Sequence, residues 1–473
     1  MSYLVKFIRQ NKNIVIMTLL FCFVVFFQFI FLGKKFEIAT DQQLQYHLFY
    51  EEWIRLIKTF IKTGEFPFFS WYTFLGTDYW ASKAYYLTAD IFLPLILIAT
   101  TFLGQAISGV MLYITMFLVI LSAINMRSYL TVMNIKNNRI KDVIAFVYAV
   151  SGIVTLYYGN YMFHRFYALM PLLFNGVEKY LECRKLSFFA IMVSILFMQN
   201  YYFMFPTSIF LIGYYISSYL SKKKESILVI LKSAFPLISA YLIGLLIAAI
   251  VIVPTVIYMT GNARIGTGTS GFLWDIRVYV GLLFSYFTPP FNIWTSVPYM
   301  FYSGFDAHGY WYSLYTSVFS LVVLLNIKHI KKTIYYPLFY FYFLCLIVIL
   351  IKPTSSIIHG FSGASFRWAF LLVFLQMFIV AAFLENVSEI KYSYKRYSLY
   401  CVVSIIGLVI LNYSNVGEYV KHQAQLIVAM IAIVVGYLYL YLLNKKKLKI
   451  LFTLIFLEMT IVNSSTVALK SSE

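Results

Sequence analysis

The chain has 473 residues, of which 62% are hydrophobic and 12% are charged, and its formal net charge is +19. Soluble domains contain roughly 45–50% apolar and about 25% charged residues, so this composition excludes a water-soluble globular fold. The positive charge does not indicate nucleic-acid binding, because the Lys and Arg residues form short clusters between long apolar blocks.

The apolar blocks are long enough to be transmembrane helices, each of which needs about 20 residues. The first block, residues 14–32, is too long for the apolar part of a signal peptide and lacks a small-residue cleavage site, which predicts an uncleaved first helix. The sequence therefore predicts an all-α polytopic membrane protein with about 13 transmembrane helices (roughly 12–14). The other predicted crossings are residues 108–126, 143–160, 162–181, 187–204, 206–221, 234–259, 309–326, 335–351, 368–385, 399–412, 425–443 and 450–463.

The basic clusters predict the orientation of these helices, because cytoplasmic loops carry an excess of Lys and Arg. They place the N-terminus in the cytoplasm and, with an odd number of crossings, the C-terminus outside the cell. Two long loops, 34–86 and 260–309, then lie outside, and residues 1–473 form one transmembrane domain without a separate soluble domain. Residues 90–103 are expected to be re-entrant; if they cross fully, there is one more transmembrane helix.

The first outside loop contains a predicted amphipathic helix at residues 43–63. Such a helix is expected to lie in the membrane surface rather than to span it. One face is apolar and the other is charged. The apolar face comprises Tyr50, Trp53, Ile54, Ile57, Phe60 and Ile61.

Polar and aromatic residues follow the first helix in a characteristic order, and further short motifs occur later in the chain. They are Asp41-Gln42, Gly64-Glu65-Phe66-Pro67, Trp71, Gly76 and Tyr85-Tyr86 in the first loop, and Asn200-Tyr201-Tyr202, Pro254 followed by Arg264, and Phe366-Arg367 beyond it.

This pattern resembles the C-type (GT-C) membrane glycosyltransferases and is similar to the bacterial YfhO-like family. Members of that family continue with a further outside region, so the chain resembles a short form covering the membrane portion. The resemblance implies an enzyme that transfers a sugar from a polyprenyl-phosphate donor, on the outer face of the cell membrane. The implied acceptor is a glycolipid or a cell-envelope polymer such as a teichoic acid.

In such enzymes the acidic residue after the first helix acts as general base or orients the acceptor, which indicates Asp41 here. A carboxylate near an acceptor hydroxyl can take its proton during attack on the anomeric carbon. Asp90 is the second catalytic candidate, because a carboxylate in an apolar segment is costly and often functional. The alternatives are a solvated carboxylate at the membrane edge for Asp41 and a helix N-cap for Asp90.

The leaving phosphate calls for positive charge and hydrogen-bond donors. The candidates are Arg367, Arg165 and Arg264, although each could instead extend its side chain towards lipid headgroups. The other predicted substrate-binding residues are Gln42, Tyr85, Tyr86, Asn200 and Tyr201.

No Cys/His spacing predicts a metal site, and a divalent Mg²⁺ or Mn²⁺ ion remains an open option. Glu458 lies within the last apolar block and is expected to pair with a distant basic group. A transporter or flippase of lipid-linked sugars or polysaccharide is the competing function. Transporters usually show interrupted helices in two repeated halves, and no repeat is evident in the sequence.

Overall fold

A computed structural model describes residues 2–38, 42–71, 76–84, 86–101, 103–104, 106–223, 225–260, 273–274, 276–287, 313–327, 334–358, 366–386, 391–413 and 423–470. These residues are almost entirely helical. The helices are α1 (Ser2–Val25), α2 (Phe27–Ile30), α3 (His47–Thr63), α4 (Tyr79–Ser82), α5 (Leu93–Thr101), α6 (Ile107–Val132), α7 (Asn138–Ala149), α8 (Gly152–Tyr157), α9 (Tyr161–Cys183), α10 (Ser187–Lys222), α11 (Ile227–Met259), α12 (Ile276–Phe284), α13 (Ser317–Leu324), α14 (Tyr336–Ile349), α15 (Lys352–Ile358), α16 (Ala369–Asn386), α17 (Tyr394–Tyr413), α18 (Gln423–Asn444) and α19 (Leu448–Lys470).

Several of these helices are suited to a membrane. Within the described ranges, five segments are long and apolar enough to span it, one of which comprises α7 and α8 together. A sixth is possible if α14 and α15, which are bent by 109°, form one span. The predicted count of 13 therefore stays a prediction. Helix α5 has nine residues and a length of about 14 Å, so it cannot cross the roughly 30 Å hydrocarbon core alone.

Two helices form the centre of the bundle. Almost every side chain of α9 is buried, and α16 is buried continuously from Ala369 to Phe383. Rings pack between them, as Phe174 of α9 stacks on Phe374 of α16 at a centroid distance of 4.5 Å. A helix whose side chains are buried all round is enclosed by its neighbours. Here the enclosing partners are mostly protein.

Helix α10 turns back on itself at Asn200, where φ is −164° and ψ is 95°. Residues on both sides of the break meet the same part of α9. A Cβ atom on Gly176 would lie 2.9 Å from the Cα atom of Phe189, while Tyr214 donates a 2.7 Å hydrogen bond to Glu178. Both arms can reach this region only if the chain reverses at Asn200. The break therefore lies four residues before the predicted end of the crossing 187–204.

The first loop folds against the bundle. A π-helical turn, Gln42–Tyr46, leads into α3, and strands β1 (Phe69–Ser70) and β2 (Thr77–Asp78) pair antiparallel with Phe69 opposite Asp78. Helix α3 buries Tyr50, Trp53 and Ile54 against protein, so much of its apolar face is not available to lipid. The expected position of α3 in the membrane surface stays a prediction.

Most charged side chains with partners lie at the end of the bundle away from this loop. Lys222 pairs with Glu178 at 2.8 Å and Arg127 pairs with Asp142 at 2.5 Å. Helix α9 runs from Arg165 to Glu178 over about 20 Å, given a rise of 1.5 Å per residue. It therefore connects the first-loop end to the basic end of the bundle.

The expectation that Glu458 pairs with a basic group is wrong in the described structure. Its carboxylate accepts hydrogen bonds from the hydroxyls of Tyr315 and Tyr439, both at 2.6 Å, and from the backbone N–H of Val318 at 2.9 Å. Ser317 also donates to it. Hydroxyl and backbone donors can stabilise a partly buried carboxylate without a cation, and sequence patterns do not reveal them.

Candidate active site beneath the first loop

A buried ion pair joins the first loop to the central helix. Asp90, just before α5, pairs with Arg165 of α9, and both side chains are 1% exposed. Both residues were predicted as site residues, although 75 positions separate them in the sequence. Isolated charges are very costly to bury, so each residue requires the other as its partner.

The remaining hydrogen bonds of this pair come from the first loop and its connection to α5. Tyr50 donates to Asp90 at 2.5 Å, and Arg165 donates to the Tyr86 carbonyl oxygen at 2.6 Å. The second carboxylate oxygen of Asp90 accepts from the backbone N–H of Phe92 at 2.8 Å. Asp90 therefore satisfies local backbone near the start of α5 and pairs with Arg165, so the capping role and the site position coexist.

The turn in α10 holds the backbone around Asp90. Gln199 donates to the carbonyl of Ala89 and accepts from the N–H of Ile91 at 3.5 Å. Asn200 accepts from the N–H of Phe203 at 2.9 Å, which caps the second arm of α10. The buried Nδ2 atom of Asn200 has no partner among the described residues. Asn200 was predicted from the family resemblance, whereas Gln199 was missed.

A narrow cleft with a cavity volume of about 10 Å³ adjoins the ion pair. Tyr50 and Tyr86, which both bond to Arg165, belong to its walls. Tyrosines combine a flat apolar face with a hydroxyl group, and such surfaces suit polar ligands with planar or ring-shaped parts. The residues lining the cleft are Tyr46, Tyr50, Tyr86, Leu87, Tyr161 and Met162.

Gln42, the residue directly after Asp41, connects this segment to the cleft through Tyr161. Gln42 donates to the hydroxyl of Tyr161 and, at 2.8 Å, to the carbonyl of Phe36, and it accepts from the N–H of Ile38 at 2.9 Å. These contacts give Gln42 a structural role in the described state. Asp41 itself lies outside the described residues.

His47 lies against the same tyrosine. Its Nε2 atom is 3.4 Å from the Tyr161 hydroxyl, and the two rings stack. Burial lowers the pKa of His47 to about 4, while Glu37 opposes this change. His47 is therefore neutral at physiological pH and can contribute a hydrogen bond but no charge.

Lys83 is a cation near the cleft that the sequence reasoning missed. Its Nζ atom lies 3.9 Å from the ring centroid of Phe49, and that ring packs on Tyr86 with a centroid distance of 5.1 Å. Burial lowers the pKa of Lys83 to about 8, so most of the population is charged at pH 7. Its position two residues before the Tyr85-Tyr86 motif was the available signal.

The other predicted residues are dispersed or not described. Arg367 donates to the Tyr202 hydroxyl at 3.4 Å, and Tyr201 contacts the sulfur of Met259 at 3.4 Å, so both residues adjoin the turn of α10. Tyr85 and Arg264 lie outside the described residues. Within the described part of the chain, no three His, Cys, Asp or Glu side chains form a group that could hold a metal ion. The option of Mg²⁺ or Mn²⁺ stays untested.

The long apolar helices and the charge-poor composition define a helical integral membrane protein. The sequence matches the family described as "Bacterial membrane protein YfhO" over residues 13–473, and the chain belongs to that family. No curated protein and no solved structure matches it.

Proposed function

We propose that the protein is a glycosyltransferase of the cell membrane. It transfers a sugar from a polyprenyl-phosphate donor to a cell-envelope polymer or glycolipid on the outer face. The main support is the buried Asp90–Arg165 pair beneath a tyrosine-lined cleft, adjacent to the segment that carries Asp41. Membership of the YfhO family is consistent with this activity.

Asp41 is the proposed general base. It would accept the proton of the acceptor hydroxyl as that oxygen attacks the anomeric carbon, while the phosphate leaves with the electron pair of the broken bond. No strong acid is needed, because a phosphate is already a stable leaving group. The site must instead stabilise its negative charge with cations and hydrogen-bond donors.

Asp90 is better suited to position Arg165 than to take a proton. Both of its carboxylate oxygens already accept hydrogen bonds in the described structure, from Tyr50 and from the N–H of Phe92. The Asp90–Arg165 pair is neutral overall, so Lys83 supplies additional positive charge near the cleft. Arg367 and Arg264 are proposed to contact the phosphate as it leaves.

A transporter or flippase of lipid-linked sugars is the second candidate. It is favoured by the break between α14 and α15, where the helices bend by 109°. Transporters use such interrupted helices to form sites within the membrane. A transporter moves the lipid-linked sugar without forming a new glycosidic bond, so the product separates the two functions.

The test compares envelope glycans, by mass spectrometry, in cells that lack the gene and carry either wild-type protein or Asp41→Asn. The variant cannot accept the proton, and we expect transfer to fall by roughly 100-fold or more. The control is Asp78→Asn in the same loop. Asp78 caps α4 through the N–H of Ala81 at 3.1 Å, and Asn is an equally good cap.

Asp78→Asn is expected to retain wild-type glycans at matched protein levels in the membrane. Full activity of Asp41→Asn would remove Asp41 as the base. Identical glycans with and without the gene would refute glycosyl transfer. Movement of a lipid-linked sugar across reconstituted vesicles, without a glycosylated product, would establish the second candidate instead.

A further inference from the structure

The first loop exposes an aromatic surface formed by Phe60, Ile61, Phe68, Phe69 and Trp71. These side chains are large and apolar, and Trp71 is 76% exposed. Clusters of exposed apolar side chains mark sites that contact another protein or a membrane. The surface includes the end of α3 and strand β1, and it lies apart from the tyrosine-lined cleft.

Trp80 connects this aromatic surface to α11. Its indole packs against the ring of Phe68 with a centroid distance of 6.1 Å. Its N–H donates to the backbone carbonyl of Ile250 at 3.3 Å. Pro254, four residues later, has no N–H to bond this carbonyl within the helix. Trp80 thus satisfies a backbone acceptor that the proline leaves free.

The contact lies well within α11. Ile250 precedes Met259, the last residue of α11, by nine positions, which is about 14 Å along a helix. The surrounding face of α11 is exposed and apolar, with Leu246 72% and Ile250 65% exposed. Helix α11 is also one of the candidate membrane spans, and only 22% of its apolar window is buried by protein. This face of α11 therefore contacts lipid.

We propose that the aromatic surface of the first loop is a membrane anchor that inserts at the boundary between lipid headgroups and acyl chains. It continues the lipid-facing side of α11 through Trp80. Tryptophan and phenylalanine are favourable at this depth because the interface accommodates their rings and, for tryptophan, the polar N–H group. This inference goes beyond the proposed function and holds for an enzyme or a transporter.

Charged residues set the limit of the inserted surface. Glu51 and Lys58 are exposed beside this surface on α3, and charged groups remain in water or among the headgroups. The loop therefore presents an aromatic side to the bilayer and a charged side to the aqueous phase. The anchor fixes the depth of the cleft relative to the lipid surface.

The experiment places a fluorescent label at single cysteines of the full chain in phosphatidylethanolamine–phosphatidylglycerol vesicles. Cys183 is replaced by Ser because it is exposed, whereas Cys22, Cys345 and Cys401 are buried. Phe69→Cys and Trp71→Cys are compared with the control Lys58→Cys. The probes are spin-labelled lipids, which quench from the bilayer, and iodide, which quenches from water.

We expect at least twofold stronger lipid quenching at positions 69 and 71 than at position 58, with the reverse order for iodide. Equal lipid quenching at all three positions, or stronger iodide quenching at 69 and 71, would overturn the proposal. The measurement is repeated at a tenfold lower protein-to-lipid ratio. Loss of shielding on dilution would show that a second copy covers the surface, which also overturns the proposal.

Discussion

Both side chains of the Asp90–Arg165 pair are buried. The contribution of the intact pair to the free energy of unfolding differs from the cost of removing one of its two members. Two charges lose their hydration on burial, and their mutual attraction only partly offsets that loss. Removing one partner leaves the other charge buried alone. The pair can therefore be essential for folding even if it contributes little compared with a neutral pair.

Either Asp90→Asn or Arg165→Gln alone should lower the free energy of unfolding by about 3–5 kcal/mol, because one buried charge loses its partner. The double variant Asp90→Asn/Arg165→Gln removes both charges and should recover most of this loss. Chemical unfolding in detergent micelles, followed by intrinsic fluorescence, measures the effect.

Sugar transfer by the double variant should remain low, because the guanidinium of Arg165 no longer holds Tyr50 and Tyr86 in the wall of the cleft. Arg127→Gln/Asp142→Asn at the other end of the bundle is the control, with transfer unchanged. A double variant as unstable as the sum of the two single variants would show that the charges do not interact.

His47 gives the first loop a pH-dependent stability. Its pKa is about 4 in the folded protein and about 6.5 when unfolded, so between these values the unfolded state binds more protons. Stability should therefore decrease as the pH falls from about 6.5 towards about 4. His47→Gln should flatten this dependence by up to a few kcal/mol, since one pKa unit corresponds to about 1.4 kcal/mol.

Thermal unfolding in detergent from pH 7 to pH 4.5 would measure this dependence. The difference between wild type and His47→Gln is the decisive quantity, because other groups titrate equally in both. Parallel curves for the two proteins would contradict the role of His47.

At the scale of elements, Trp80 and Pro254 form a coupled pair that links α4 to α11. Trp80→Phe leaves the Ile250 carbonyl unbonded and should cost about 1–2 kcal/mol of unfolding free energy. In a Pro254→Ala background the helix regains an N–H for this carbonyl, so the same substitution should cost less. Chemical unfolding of the four proteins gives the coupling, and equal costs in both backgrounds would show that the bond is unimportant.

The sequence predicted helices better than it predicted their connections. Apolar length and positive charge located most helices, and the predicted boundary between 187–204 and 206–221 lies within about five residues of the observed break at Asn200. Sequence could not show that α14 ends in a sharp bend or that α3 packs on protein, because both depend on neighbours distant in the chain. An amphipathic pattern reports that one face is covered, not what covers it.

The sequence predicted only part of the candidate site, again because contacts between residues distant in the chain are not visible in it. Asp90 and Arg165 stood out because charges in apolar segments are costly, and the structure pairs them. Tyr50, Tyr161 and Gln199 did not stand out, because a tyrosine or glutamine is common in such a chain. Their roles depend on hydrogen bonds across more than 30 sequence positions.

At the scale of the whole molecule, the two ends of α9 should face opposite sides of the membrane. Cys183 ends α9 near the basic clusters and is the exposed cysteine, so we predict that it lies in the cytoplasm. A membrane-impermeant maleimide should label Cys183 in inside-out vesicles at least tenfold more than in intact cells. Cys183→Ser is the control for specific labelling, and strong labelling in intact cells would reverse the proposed orientation.

Helix α9 also has a consequence for biogenesis. It carries Arg165 near its start and Glu178, Lys179 and Glu182 near its end, and a charge opposes the insertion of a helix by up to roughly 2.5–3.5 kcal/mol, the value at the helix centre. Asp90, the partner of Arg165, is synthesised before α9, whereas Tyr214 and Lys222, the partners of Glu178, are synthesised after it. The central helix of the bundle can therefore complete these pairs only once the ribosome has completed α10.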